Sequence, residues 1–232
     1  MEVLSPRRSA WKRAASDAGH AVLDAAAAAG RVTGLLKPRT RGIEDIDTVL
    51  TRNDPLRAEW AALRGDYLAL HALVAARRPR RIVEIGVRHG YSAFAMLCAA
   101  PEAEYFGFDA DLCTWGGVPG ALWDARRMLR REFPRARVTV RRADTAAAGL
   151  RLPAADVYFV DGDHSEEAAL RDLESCAAAA YLERGALLLV DDVKHEAGVA
   201  RALERFAGAH GRSLTRHATL RGLVSIDVPP RS

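Results

Sequence analysis

Apolar positions change their spacing along the chain, and each change marks an element. Leu56, Trp60, Leu63, Tyr67, Leu70, Leu73 and Val74 recur every three or four residues, the period of one helix face. An amphipathic helix is therefore expected from Asn53-Asp54-Pro55, a cap residue followed by proline in the first turn, to about Arg77, with Pro79 ending it. Ile82, Val83 and Ile85 form a β-branched run, Gly86 and Gly90 punctuate it, and Ala93, Phe94, Met96 and Leu97 return to helical spacing. That stretch reads as strand, tight turn, helix. Further strands are expected over Glu104–Asp109, Arg137–Asp144, Asp156–Asp161 and Ala186–Val190, with helices over Ala121–Phe133, Glu166–Ala180 and Val199–Ala209. Ser213–Thr219 and Leu223–Val228 close the chain as a strand pair joined through Leu220-Arg221-Gly222. Regular βα alternation predicts an α/β domain, a parallel sheet with helices on both faces.

Residues 1–53 do not follow this rhythm. Ala10–Ala29 has the composition of a helix, but its apolar face is mostly alanine and buries little alone, and Gly30, Gly34 and Pro38 interrupt it. We expect an N-terminal helical or partly disordered extension, 1–53, ahead of a catalytic domain, 54–232. The catalytic domain or a second copy of the chain, as a homo-oligomer, would supply the cover this segment lacks.

Five acids stand at expected strand ends: Glu84, Asp109, Asp144, Asp161 and Asp191, with Asp192 beside the last. In open α/β sheets ligands bind outside the carboxyl ends of the strands. So much negative charge at one edge repels itself unless a cation or hydrogen-bond donors balance it. Aspartates at strand ends also serve as turn and cap residues, which is the competing reading for Asp109, Asp144 and Asp163.

Composition narrows the picture by exclusion. The longest apolar stretches, such as Ala25–Ala29 and Ala177–Ala180, fall far below the ~20 residues that cross a bilayer, and no secretory signal pattern opens the chain, so a cytoplasmic protein is expected. Cys98, Cys113 and Cys176 show no C-x-x-C spacing, which supports neither a disulfide framework nor a thiolate zinc site. The formal charge of +4 comes from arginine, since the only lysines are Lys12, Lys37 and Lys194. Of the arginine clusters at 7–13, 77–81, 126–131 and 135–142, the last three have no interleaved aromatic residue and the first has Trp11 alone, which disfavours a nucleic-acid groove.

The turn itself points to a ligand class. A dinucleotide fingerprint needs G-x-G-x-x-G, and here Arg88 stands where the second glycine belongs. The run Glu84-Ile-Gly86-Val-Arg88-His89-Gly90-Tyr91-Ser92 resembles the first motif of class I S-adenosylmethionine-dependent methyltransferases, in a variant with Arg88 where many members have glycine. The resemblance covers roughly residues 55–228. It implies a Rossmann-like, doubly wound, mostly parallel seven-stranded sheet whose last strand inserts antiparallel. It also implies S-adenosylmethionine as cofactor, with Glu84, Gly86, Gly90, Tyr91 and Ser92 around its methionine part, Asp109 on the ribose hydroxyls, Asp144 at the adenine and Asp161 nearby. His89 reads as a loop residue near the cofactor.

Two further stretches carry a narrower resemblance. Asp161-Gly-Asp163-His164 and Leu188-Leu-Val-Asp191-Asp192 resemble the acidic segments of metal-dependent O-methyltransferases, including those acting on macrolide sugars and on catechol. Asp161, Asp191 and Asp192 would make an oxygen-rich site suited to Mg²⁺. Asp163 is either a further ligand or the start of the helix that Ser165, Glu166 and Glu167 announce. Methyl transfer is an in-line displacement whose acceptor hydroxyl must lose its proton, and the catalytic pair on this reading is His164, as general base, with Asp161. Lys194 and His195 are the rival bases. Asp111–Gly120, with Trp115 among its glycines, reads as a lid or acceptor wall. The expected acceptor is a small-molecule hydroxyl, a sugar or phenol of a secondary metabolite.

Two other classes compete. Leu188–Val193 also resembles the acidic strand end of phosphoribosyltransferases, but Lys194-His195-Glu196 follows it rather than a phosphate loop. The arginine content suggests an RNA-directed or noncatalytic protein on the methyltransferase fold, which salt-dependent RNA binding would reveal.

Overall fold

A computed structural model describes residues 41–50, 54–110, 120–181 and 183–230. The expected helix at Ala10–Ala29 and the expected lid at 111–119, with Cys113 and Trp115, lie outside the described residues.

Asp54 caps the first long helical segment, its Oδ1 accepting the Leu56 N–H at 2.9 Å. Pro55–Ala58 is a single 3₁₀ turn, and α1 proper runs Trp60–Arg77. It stops at Arg78, whose left-handed φ of 51° turns the chain toward Pro79. From there strand and helix alternate: β1 Arg81–Ile85, α2 Tyr91–Ala99, β2 Glu104–Asp109, α3 Ala121–Glu132, β3 Arg137–Arg142, β4 Val157–Val160, α4 Glu166–Ala179, β5 Ala186–Val190, α5 Ala197–His210, β6 Thr215–Arg216 and β7 Val224–Val228.

The seven strands form one sheet in the order β3-β2-β1-β4-β5-β7-β6. β1 to β5 are parallel, and β7 inserts antiparallel beside β5, pairing Ala186 with Val228 and Val190 with Val224. The expected strand Ser213–Thr219 shrinks to two exposed residues. Beyond Arg216 the chain turns, with Thr219 Oγ1 accepting the N–H groups of Gly222 and Leu223.

Alternation along each strand feeds two cores. Ile82, Phe159 and Leu189 face α1, α2 and α3, whereas Val83, Ile85, Tyr158 and Leu188 face α4 and α5. Burying each such large apolar side chain contributes about 1.5–3 kcal/mol, so the two layers hold the strands rigidly and their carboxyl ends become a fixed platform. Strand order reverses between β1 and β4, and a crevice opens where it does.

Candidate active site

A cavity of about 440 Å³ lies over the carboxyl ends of β1, β2 and β4. The loop after β1 forms one wall. Gly86 has φ +87°, and a Cβ there would overlap the carbonyl oxygen of Asp161 on the neighbouring strand end, so only glycine fits. Gly90, at φ +78°, starts α2. Arg88 takes a left-handed φ of 47°, which costs a residue with a Cβ of order 1 kcal/mol. Two carboxylates hold it there. Asp109 Oδ2 accepts the N–H groups of Val87 and Arg88 at 2.9 and 2.8 Å, and Asp54 accepts the Arg88 guanidinium at 2.8 Å and the Tyr91 hydroxyl at 2.7 Å. His89 is buried in the same wall, stacked on Tyr91 at 5.7 Å, with Nε2 3.5 Å from Asp54. Burial holds its pKa below the ordinary histidine value.

Glu84 is not where the motif suggests. It points to the side of the sheet covered by α1–α3, is fully buried, and accepts hydrogen bonds from Ser92 and Tyr105. It lies beneath the cavity rather than in its lining. Burial raises its pKa to about 8 despite those two bonds. Gly86, Gly90, Tyr91, Ser92, Asp109, Asp144 and Asp161 do line the cavity. Asp144 is exposed at the rim, its Oδ1 accepting the Ala146 N–H at 2.8 Å. Asp163 likewise turns to the backbone and accepts the Ser165 N–H at 2.8 Å, the helix-start alternative.

A second group of lining residues gathers around His164. His164 Nε2 lies 3.4 Å from Asp192 Oδ2 and 3.8 Å from Asp161 Oδ1, and its Nδ1 lies 3.5 Å from Glu196. Burial works to lower the imidazole pKa, but these three carboxylates outweigh it and raise it. Lys194 and His195 are exposed and outside the cavity lining, with the Lys194 ammonium donating to the Thr219 carbonyl. Of the three base candidates, His164 is the one that faces the cavity.

The expected acid triad divides. Asp161 and Asp192 offer ligand atoms that, with one from His164, lie within 4.8 Å of one another. Asp191 does not join them; its Oδ2 pairs with the guanidinium of Arg221 at 2.6 Å. Successive residues leaving a strand point opposite ways, and Asp192 adds a left-handed φ of 60°, so the two carboxylates part. Burial and the charges of Asp161 and Asp192 push Asp191 above the usual carboxylate range, against the pull of Arg221. Two carboxylates suit a hard divalent cation, so Asp161 and Asp192 fit a metal, and His164 beside them keeps its Nε2 for a proton.

Sequence reasoning missed four contributors: Asp54, Tyr67, Glu196 and Arg221. Tyr67, one of the apolar positions of α1, is buried against Trp60, ring centroids 5.3 Å apart, and also lines the cavity. Arg221, in the short β6–β7 connection, had no signal beyond its charge.

Residues 83–193 match a family model described as a methyltransferase domain. No curated protein matches the chain. Among solved structures, an O-methyltransferase from Bacillus cereus in complex with SAH is 16% identical, with 85% of this chain and 95% of that one covered and a TM-score of 0.54. The SAM complex of the O-methyltransferase TomG from Streptomyces achromogenes, involved in tomaymycin synthesis, is 17% identical over 88% and 96%, with a TM-score of 0.55. SAH-bound PaMTH1, a methyltransferase from Podospora anserina, is 17% identical over 86% and 94%, also at 0.55. At these identities the likeness is one of fold. No described helix is long and apolar enough to cross a membrane.

Proposed function

We propose that this chain, which carries a methyltransferase domain over residues 83–193, transfers a methyl group from S-adenosylmethionine to a hydroxyl oxygen of a small molecule, assisted by Mg²⁺. One observation carries the reading: the glycine loop and the Asp161–His164–Asp192 cluster line a single cavity. A donor on the first wall and an acceptor on the second would meet over the sheet's switch point.

The division of labour follows from charge. The loop held by Asp109 would seat the donor, with Asp109 and Asp144 near its ribose and adenine. The acceptor oxygen attacks the sulfonium methyl in line, a C–O bond forms as the C–S bond breaks, and the hydroxyl proton passes to His164 Nε2. Asp161, Asp192 and Glu196 favour the imidazolium that results. Asp161 and Asp192 would hold the metal, which when bound lowers the pKa of an acceptor hydroxyl. The apolar lining residues Leu56 and Tyr67 suit a flat, partly apolar acceptor, so a phenol of a secondary metabolite is favoured over a sugar.

Incubation of the protein and S-adenosylmethionine with phenol and sugar acceptors, read by mass spectrometry, tests this. A product heavier by one methylene unit, lost on adding chelator and restored by Mg²⁺, is expected. Turnover indifferent to chelator would remove the metal from the account, and turnover of sugars alone would overturn the acceptor assignment.

A further inference from the structure

The acidic wall already holds a cation of its own. Besides pairing with Asp191, the Arg221 guanidinium places Nε 3.7 Å from Asp192 Oδ1 and 3.8 Å from Asp66 Oδ2, and it lies 5.8 Å over the ring of Tyr67. The chain around it is fastened at several points. Asp66, buried on α1, accepts the N–H groups of Leu220 and Arg221 at 2.7 and 2.9 Å, and the Arg221 carbonyl accepts the Lys194 N–H at 2.9 Å. Gly222, at φ +93°, sits so close to Lys194 that a Cβ would lie 2.7 Å from its backbone nitrogen. Arg221 is thus a preorganised charge, presented from a turn bound to both α1 and the end of β5.

Asp192 stands between two claims, Oδ1 toward Arg221 and Oδ2 toward His164. A divalent ion held by Asp161 and Asp192 would need that same carboxylate and would bring two positive charges close to a guanidinium that the fold keeps in place. Asp191 Oδ1 is buried without a hydrogen-bond partner, so this carboxylate's neutralisation rests on Arg221 as well.

We propose that Arg221 is a resident counter-cation that weakens and tunes the divalent-ion affinity of this site through its own charge and by competing for Asp192. The inference rests on the metal reading above and deepens it. The full chain and its Arg221→Gln and Arg221→Lys variants should be titrated with Mn²⁺, with free ion followed by electron paramagnetic resonance. Arg221→Gln should bind Mn²⁺ at least tenfold more tightly than the wild type. Arg221→Lys keeps a charge for Asp191 but withdraws the guanidinium Nε from Asp192; it should fall between them, and it carries the comparison if the glutamine variant does not fold. Equal or weaker binding by the variants would overturn the role of Arg221 while leaving the metal site standing. Absence of Mn²⁺ binding in all three proteins would overturn both.

Discussion

The carboxylates at the ends of β1 and β2 and those at the ends of β4 and β5 are equally acidic in sequence, yet their surroundings differ in kind. Glu84 accepts from two hydroxyls, and Asp109 accepts from two backbone N–H groups that fix the loop. Asp161, Asp191 and Asp192 are met by Arg221 and His164, groups that carry or acquire charge. Neutral donors fix a backbone and leave little to change during a reaction. Charged partners leave a site whose balance shifts whenever a proton or an ion enters. On the proposed function the first pair would shape the donor's side of the cavity, and the second set would serve proton and methyl transfer.

The contrast breaks most severely at Gly86. A Cβ at φ +87° would collide with Asp161 and push the two walls apart, so Gly86→Ala should cost on the order of 4 kcal/mol of stability, measurable by denaturant unfolding, and abolish donor binding. Next comes Glu84, whose pKa of about 8 exceeds its unfolded value of 4.5. The folded state then keeps a proton that the unfolded state has released, so wild-type stability should be full below the unfolded value and fall by roughly 5 kcal/mol as pH rises through the folded one. Glu84→Gln should flatten that slope, and thermal unfolding at a series of pH values would show it.

On the other wall the effect should be on rate. Asp161→Asn and Asp192→Asn should each lower turnover about a hundredfold, roughly 2.7 kcal/mol of barrier, while leaving the unfolding midpoint nearly unchanged. A fall in stability with turnover preserved would place these residues with the structural pair. The smallest change is expected at Asp163. Its carboxylate serves the Ser165 N–H, so Asp163→Ala should cost about 1 kcal/mol of stability and leave turnover as it was.

Much of this architecture was legible in the residues. Apolar runs such as Ala186–Val190 admit only a buried strand, and β2 and β5 have the expected ends. Proline and glycine marked the turns, and the strand-end acids located the cavity. The partition of those acids was not legible. Whether Asp191 or Asp192 turns toward the cavity depends on a left-handed φ at Asp192 that no composition rule anticipates. Glu84 is consumed by Tyr105 from the next strand, a contact set by the β1–β2 register. The partners of the loop and of the acid wall, Asp54, Asp66 and Arg221, come from distant segments and carry no local pattern. Arg88 was visible as a departure from the motif, but not the two carboxylates that hold it.

The central claim is that two separable walls serve donor and acceptor, and isothermal titration with S-adenosylmethionine tests it most directly. The wild type and Asp192→Asn should bind the donor with affinities within a few-fold of each other, while Asp109→Ala, which releases the glycine loop, should lose at least tenfold. Absence of binding by the wild type at millimolar donor, or equal binding by Asp109→Ala with loss in Asp192→Asn, would contradict it.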